Sequence, residues 1–163
     1  MASHEFSIPT VWRLKAKAAD VYTILNDPKE FVRWWPEVYL DVEVLREADA
    51  TGKGRVVKFV TKGKLPYHLN WQAELVGSRP PDRMSIRATG DLDGRGEWRL
   101  EQQGEWLEVS YDWTVLVTQL WMVVLSPLLK PAFVWNHRWA MQRGFEGLQR
   151  EVARRVGMGI PVS

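Results

Sequence analysis

The chain has 163 residues, 22 basic and 20 acidic, a formal charge of +2 and no cysteine. That length supports a single domain over 1–163, with its core over about 5–156. Charge that is nearly balanced and scattered argues against a nucleic-acid partner, and the missing thiols exclude disulfides, thiolate metal sites and a cysteine nucleophile. The first residues place His4 and Glu5 where a secretory leader needs a basic and then an apolar run, so a cytoplasmic location is expected. The anomaly is ten tryptophans, which serve either as core filler or as the lining of a ligand cavity.

A first strand is predicted over Phe6 to Leu14, with Phe6, Ile8, Thr10, Trp12 and Leu14 on one face. Pro9 within it points to an edge or a bulge. Two short helices follow: Ala18 to Asn26, with Val21, Ile24 and Leu25 at helical spacing, and Lys29 to Trp35, introduced by Asp27-Pro28 and stopped by Pro36. Six more strands are expected near Val38 to Leu45, Gly54 to Thr61, Leu65 to Val76, Arg83 to Thr89, Leu92 to Gln102 and Trp106 to Thr118. The short Gly- and Pro-bearing turns between them imply antiparallel neighbours.

The inward faces read Val38, Leu40, Val42, Val44; Val57, Phe59, Thr61; Leu65, Tyr67, Leu69, Trp71, Ala73, Leu75; Met84, Ile86, Ala88; Leu92, Gly94, Gly96, Trp98, Leu100; and Leu107, Val109, Tyr111, Trp113, Val115, Val117. Arg87, Arg95 and Arg99 fall on the outer face. A last helix is predicted from Pro131 to Val156, with Val134, His137, Met141, Phe145, Leu148 and Val152 as its apolar stripe, Gly144 beside it, and Arg138, Gln142, Gln149 and Arg150 opposite. The result is an α+β layout in which seven antiparallel strands curl around one long helix.

That order of elements resembles the START/Bet v 1-like (SRPBCC, helix-grip) superfamily, in particular its bacterial polyketide cyclase/dehydrase and lipid-transport branch. The likeness rests also on the run Gly90-Asp91-Leu92-Asp93-Gly94-Arg95-Gly96-Glu97-Trp98, on Tyr111-Asp112-Trp113, Trp121-Met122, Leu128 to Pro131, and on Trp135-Asn136-His137. It implies a deep apolar cavity between sheet and C-terminal helix, holding a lipid or an aromatic or polycyclic molecule, with polyketide cyclase or aromatase chemistry in some relatives.

The residues suited to that task can be named from the inward faces. Trp12, Phe59, Tyr67, Trp71, Trp98, Trp113, Phe133 and Met141 would contact the ligand, and Gly94 and Gly96 would give it room or bend the strand. Hydroxyls come from Tyr67, Tyr111, Thr10 and Thr61. No carboxylate falls on the inward set, so a general base must come from the helix, where His137 is the candidate; a packed core histidine is the other reading. Asn136 would either donate to a ligand carbonyl or tie down a neighbouring loop. His137, Asn136 and Tyr111 are therefore the candidate catalytic groups. His4, His68 and His137 lie far apart and make no metal motif, the glycines of 91–96 precede a strand rather than opening a helix as a phosphate loop would, and no cofactor is expected. Leu116 to Trp135 is strongly apolar, but Pro127, Lys130 and Pro131 interrupt it short of the roughly 20 residues a bilayer demands. It would lid the cavity mouth, or else dock on a membrane or a protein. The alternatives to a ligand-binding enzyme are thus a membrane-docked lipid carrier and a non-catalytic interaction module.

Overall fold

The structure, a computed structural model, describes residues 5–117 and 120–157. One seven-stranded antiparallel sheet is built from β1 (Glu5–Lys15), β2 (Tyr39–Arg46), β3 (Val56–Lys62), β4 (His68–Arg79), β5 (Arg83–Gly90), β6 (Leu92–Gln103) and β7 (Trp106–Val117), ordered β1-β7-β6-β5-β4-β3-β2. Hairpin connections set β2 through β7 side by side in sequence order, and β1 closes on β7 with unbroken register from Glu5↔Leu116 to Lys15↔Trp106. β1 is therefore an edge strand, and Pro9, which has no N–H to donate, sits exposed on it.

The two edge strands are joined by α1 (Ala18–Leu25), a 3-10 turn (Pro28–Glu30) and α2 (Phe31–Trp34). Asp27 makes no side-chain cap for the second of these. The long helix α3 (Leu120–Gly157) packs against β1, α1 and α2. Gly144 and Gly147, one turn apart on α3, form the bare strip on which Trp34, the last residue of α2, and the following Trp35 rest. A Cβ at Gly144 would run into the Trp35 ring, and one at Gly147 into the Trp34 carbonyl. The Trp35 indole N–H then donates to the Ala140 carbonyl at 2.9 Å, which pins the crossing.

Alternation places most inward residues correctly: Val57, Phe59, Thr61, Trp71, Ala73, Leu75, Met84, Ala88, Trp98 and Leu100 are buried, as are Leu107, Val109, Tyr111, Trp113 and Val115 on β7. Arg87, Arg95 and Arg99 are exposed on the outer face. The side chains of Phe6 and Val117 lie outside the described residues, as does His4.

Three expectations are corrected. In β2 a register shift between Tyr39 and Asp41 reverses the pleat, so Tyr39 points inward and Leu40 is 41% exposed, while Val42 and Val44 keep their inward side. β4 begins at His68 rather than Leu65, because Pro66 cannot join a ladder; Leu65 and Tyr67 still pack on the core from a tight turn closed by Tyr67 N–H to the Leu65 carbonyl. Finally, α3 begins at Leu120, not Pro131. Each interior proline removes one backbone bond, at about 3 kcal/mol. No glycine interrupts 120–143, however, and the helix continues through both prolines. Residues 120–135 thus belong to the same helix as 136–157 rather than to a connecting segment.

Candidate functional site

Between the concave sheet face and α3 lies a cavity of about 180 Å³. Its walls are defined by rings in successive contact. Centroid separations run Trp12–Trp98 5.3 Å, Trp98–Tyr111 4.1 Å, Tyr111–Trp113 5.7 Å, Trp113–Trp71 5.5 Å and Trp71–Phe59 4.9 Å. They continue Phe59–Tyr39 5.1 Å, Tyr39–Trp35 5.0 Å and Trp35–Trp12 6.1 Å, which closes the circuit. Every member except Trp12 lines the cavity. Such pairs add about 0.5–1.5 kcal/mol each beyond their buried area, so the girdle both stabilises the fold and presents π-faces to whatever enters. The wealth of tryptophan thus has a structural and a lining role together.

The polar groups of the lining are few. His137 reaches the cavity from α3, and its Nε2 is buried without a hydrogen-bond partner among the described residues. Burial, assisted by the charge of Arg138, lowers its pKa to about 4, so the ring is neutral at neutral pH. Tyr39 and Tyr111 are held as phenols because burial raises both pKa values, that of Tyr111 well above normal. Tyr67 is pushed up to about 12 by burial, against the pull of a hydrogen bond from Asn136. The Trp71 indole N–H is already committed to Thr61 Oγ1 at 3.0 Å. Just ahead of β3, Arg55 lines the cavity while two of its nitrogens hold the Asn26 carbonyl and side-chain oxygen at 2.9 and 3.1 Å, and its Nε is buried and unpaired among the described residues. Among the described residues neither Asp nor Glu contributes to the lining, so these offer donors and positive charge but no anion.

Of the predicted ligand contacts, Phe59, Tyr67, Trp71, Trp98, Trp113, Phe133 and Met141 line the cavity, together with His137, Asn136 and Tyr111. Asn136 is spoken for: its Oδ1 accepts from the backbone N–H groups of Lys64 and Leu65 at 2.6 and 3.2 Å, which ties the β3–β4 loop to the helix. Trp12 is not part of the lining; it is buried between sheet and helix against Trp35, Trp98 and Phe145. Gly94 and Gly96 open no cavity space either. A Cβ at Gly94 would meet the β7 backbone at the Thr114 carbonyl and Val115 Cα, and one at Gly96 would meet Tyr111 Oη at 2.5 Å and Trp113 Cε3 at 2.9 Å. The first glycine allows close strand approach; the second lets two girdle rings lie flat on β6.

Arg55, Tyr39, Trp35 and Lys62 line the cavity but were not singled out by the sequence reading. Arg55 was legible, since it shares the parity of Val57, Phe59 and Thr61. Among the described residues no group of three His, Cys, Asp or Glu side chains is gathered as a metal site would need.

The His137 environment has a measurable consequence. Its usual pKa of 6.5 falls to about 4 on folding. Between those pH values the unfolded chain binds a proton that the folded chain refuses, so stability declines as pH drops through that window. Allowing for partial exposure, the expected loss is about 2 kcal/mol from pH 6.5 to 4. The variant His137→Phe should fold and lose this dependence, seen as urea midpoints nearly equal at pH 7 and pH 5. An unchanged pH dependence in the variant would place the ring in solvent.

A seven-stranded antiparallel sheet wrapped on a long C-terminal helix around an aromatic cavity defines a helix-grip protein of the START/Bet v 1-like class. The chain belongs to the family described as polyketide cyclase/dehydrase and lipid transport, whose model matches residues 14–155. Among solved structures it is similar to a START superfamily protein from Mycobacterium smegmatis (12% identity, TM-score 0.73, covering 91% of this chain and 97% of that one). It is also similar to the Zhui aromatase/cyclase from a Streptomyces species (16%, 0.72, 94% and 96%) and to a protein from Thermus thermophilus (18%, 0.70, 89% and 98%). At such identities the likeness is one of fold. No curated protein sequence matches the chain.

Proposed function

We propose that the chain binds a planar, apolar small molecule bearing carbonyl or other hydrogen-bond acceptors, with cyclase-like ring closure as the associated chemistry. The observation that carries this reading is the closed aromatic girdle around a lining that, among the described residues, holds donors and no carboxylate. Stacked rings favour a flat, conjugated body. The Tyr39 and Tyr111 hydroxyls, which burial keeps protonated, suit acceptor oxygens on it. Membership of the cyclase/dehydrase family and the fold shared with an aromatase/cyclase support the chemical half of the proposal. An open cavity favours a ligand over a pure interaction module, in which the side chains themselves would fill the space. His137, with its pKa lowered to about 4, is a weak base in the empty cavity. Ring closure here would therefore rest on folding the chain of the substrate against the girdle and polarising a carbonyl through Tyr111, with His137, whose Nε2 is buried without a partner among the described residues, as the group to take up a proton.

Titration with a planar polycyclic phenol or quinone tests the binding half. Intrinsic tryptophan fluorescence should quench saturably in the micromolar range, equivalent to about −8 kcal/mol. The pair Trp71→Ala/Trp98→Ala should weaken binding at least tenfold while the protein remains folded by circular dichroism. Saturable quenching with unchanged affinity in that variant would remove these residues from the site, and with them the reading.

A further inference from the structure

The chemistry proposed above uses neutral groups, yet the cavity wall also holds a guanidinium. Arg55 has the parity of Val57, Phe59 and Thr61, and all four line the cavity. Gly54, with φ +88°, turns the chain toward β3, and two backbone bonds then hold this point on β4: Gly54 N–H to the Leu75 carbonyl at 2.7 Å and Leu75 N–H to the Arg55 carbonyl at 2.8 Å. Thr61 comes six positions later, roughly 20 Å along the strand. Arg55 therefore stands at the end of the cavity walled by Leu25, Pro28 and Leu75, with Lys62, Asn136 and His137 at the other.

This guanidinium is short of partners for a cation taken out of water. Asn26, the residue after α1, meets it with two neutral oxygens, which use two of its five N–H groups. Its Nε is buried and has no partner among the described residues. Burial pushes the pKa down, and the charges of Glu47 and Asp27 offset this only in part; Glu47 is itself paired with Lys29 at 3.9 Å. An arginine does not escape such a setting by losing its proton, so the charge is best met by an anion. Nε together with one terminal nitrogen makes a side-on fork that matches the two oxygens of a carboxylate. Lys62, the other cation of the described lining, is exposed and satisfied by water.

We propose that Arg55 anchors a carboxylate of the ligand, so that the molecule bound is a planar acid whose rings lie along the girdle and whose acid group sits at the Asn26 end. The anchor rests on the binding of a planar ligand proposed above, and adds to it the charge of that ligand and its direction in the cavity. With the acid held at Arg55, the far end of the ring system points toward Lys62 and His137. An ester, amide or thioester of the same acid brings no anion and leaves the guanidinium as short of partners as before.

The test compares anthraquinone carboxylate with its carboxamide, two planar quinones of nearly equal shape, by quenching of tryptophan fluorescence at neutral pH, where the acid is ionised. The acid is expected to bind about tenfold more tightly or better. The preference should persist in salt, because a buried pair is screened much less than an exposed one. In Arg55→Met the acid and the amide should bind alike, and in Arg55→Lys, which keeps the charge and loses the fork, only part of the preference should remain. Lys62→Gln should keep it whole. Equal affinities of acid and amide in the parent protein would overturn the anchor while the binding of planar ligands stands, and this comparison does not depend on any variant folding. A preference that survives in Arg55→Met, or that Lys62→Gln abolishes, would overturn it too. If neither probe quenches saturably, the anchor and the binding reading fall together.

Discussion

Glu151→Gln is expected to lower stability by about 3 kcal/mol, or roughly 6–12 °C in melting temperature for a chain of this length. The carboxylate is only 2% exposed, yet it accepts from three guanidinium groups. Arg33 donates at 2.8 and 2.6 Å from α2, Arg154 at 3.0 Å, and Arg155 at 2.7 Å. Removing the anion leaves three cations facing one another. The loss falls at the low end of what breaking a buried ion pair costs, because Arg33 and Arg154 remain in touch with water.

The pH dependence of this cluster has the opposite cause to that of His137. The arginines hold the Glu151 carboxyl far below its usual 4.5, so its stabilisation is complete above that value and drains away as pH falls below it toward the folded pKa. Acid unfolding should therefore show two windows: one between pH 6.5 and 4 that His137→Phe removes, and one below about pH 4.5 that Glu151→Gln removes. Urea midpoints across pH for parent and variants check this, and a single window abolished by either substitution would mean the two sites are not independent. Since Arg33 lies in α2 between Phe31 and Trp35, which line the cavity, the same cluster holds that wall in place.

Gly94→Ala is expected to cost about 3 kcal/mol or more, again roughly 6–12 °C. The new methyl would be driven into the Thr114 carbonyl of β7, with Val115 Cα at 2.8 Å. Neither is a side chain that can swing aside, and β7 also carries β1, so relief requires sliding two strands. Gly96→Ala lies two residues on and should behave differently. Its methyl meets the Tyr111 and Trp113 rings, which can tilt, so stability falls less while the girdle is distorted and probe affinity drops. Scanning calorimetry together with fluorescence titration separates the two cases. Greater destabilisation from Gly96→Ala, with probe affinity intact, would show that β6 and β7 are held together differently from this account.

Much of this protein can be read locally. Alternation in a strand is covalent geometry, so the faces of β3 to β7 follow from parity alone, and parity extended by one step would also have placed Arg55 inside. Tryptophan at inward positions of several strands announces an aromatic interior, and Gly144 beside the apolar stripe of α3 announces a close crossing. What could not be read depends on a partner distant in sequence. The shift that turns Tyr39 in and Leu40 out arises in the pairing of β2 with β3. Trp12 and Trp98 have the same parity, but α3 and Trp35 cover one of them and leave the other on the cavity. Asn136 and His137 are adjacent, yet the β3–β4 loop occupies the first and leaves the Nε2 of the second without a partner. Arg33 meets Glu151 across 118 positions. A residue's own backbone sets which way its side chain points; what it then meets is set by the packing of elements that the chain brings together only on folding.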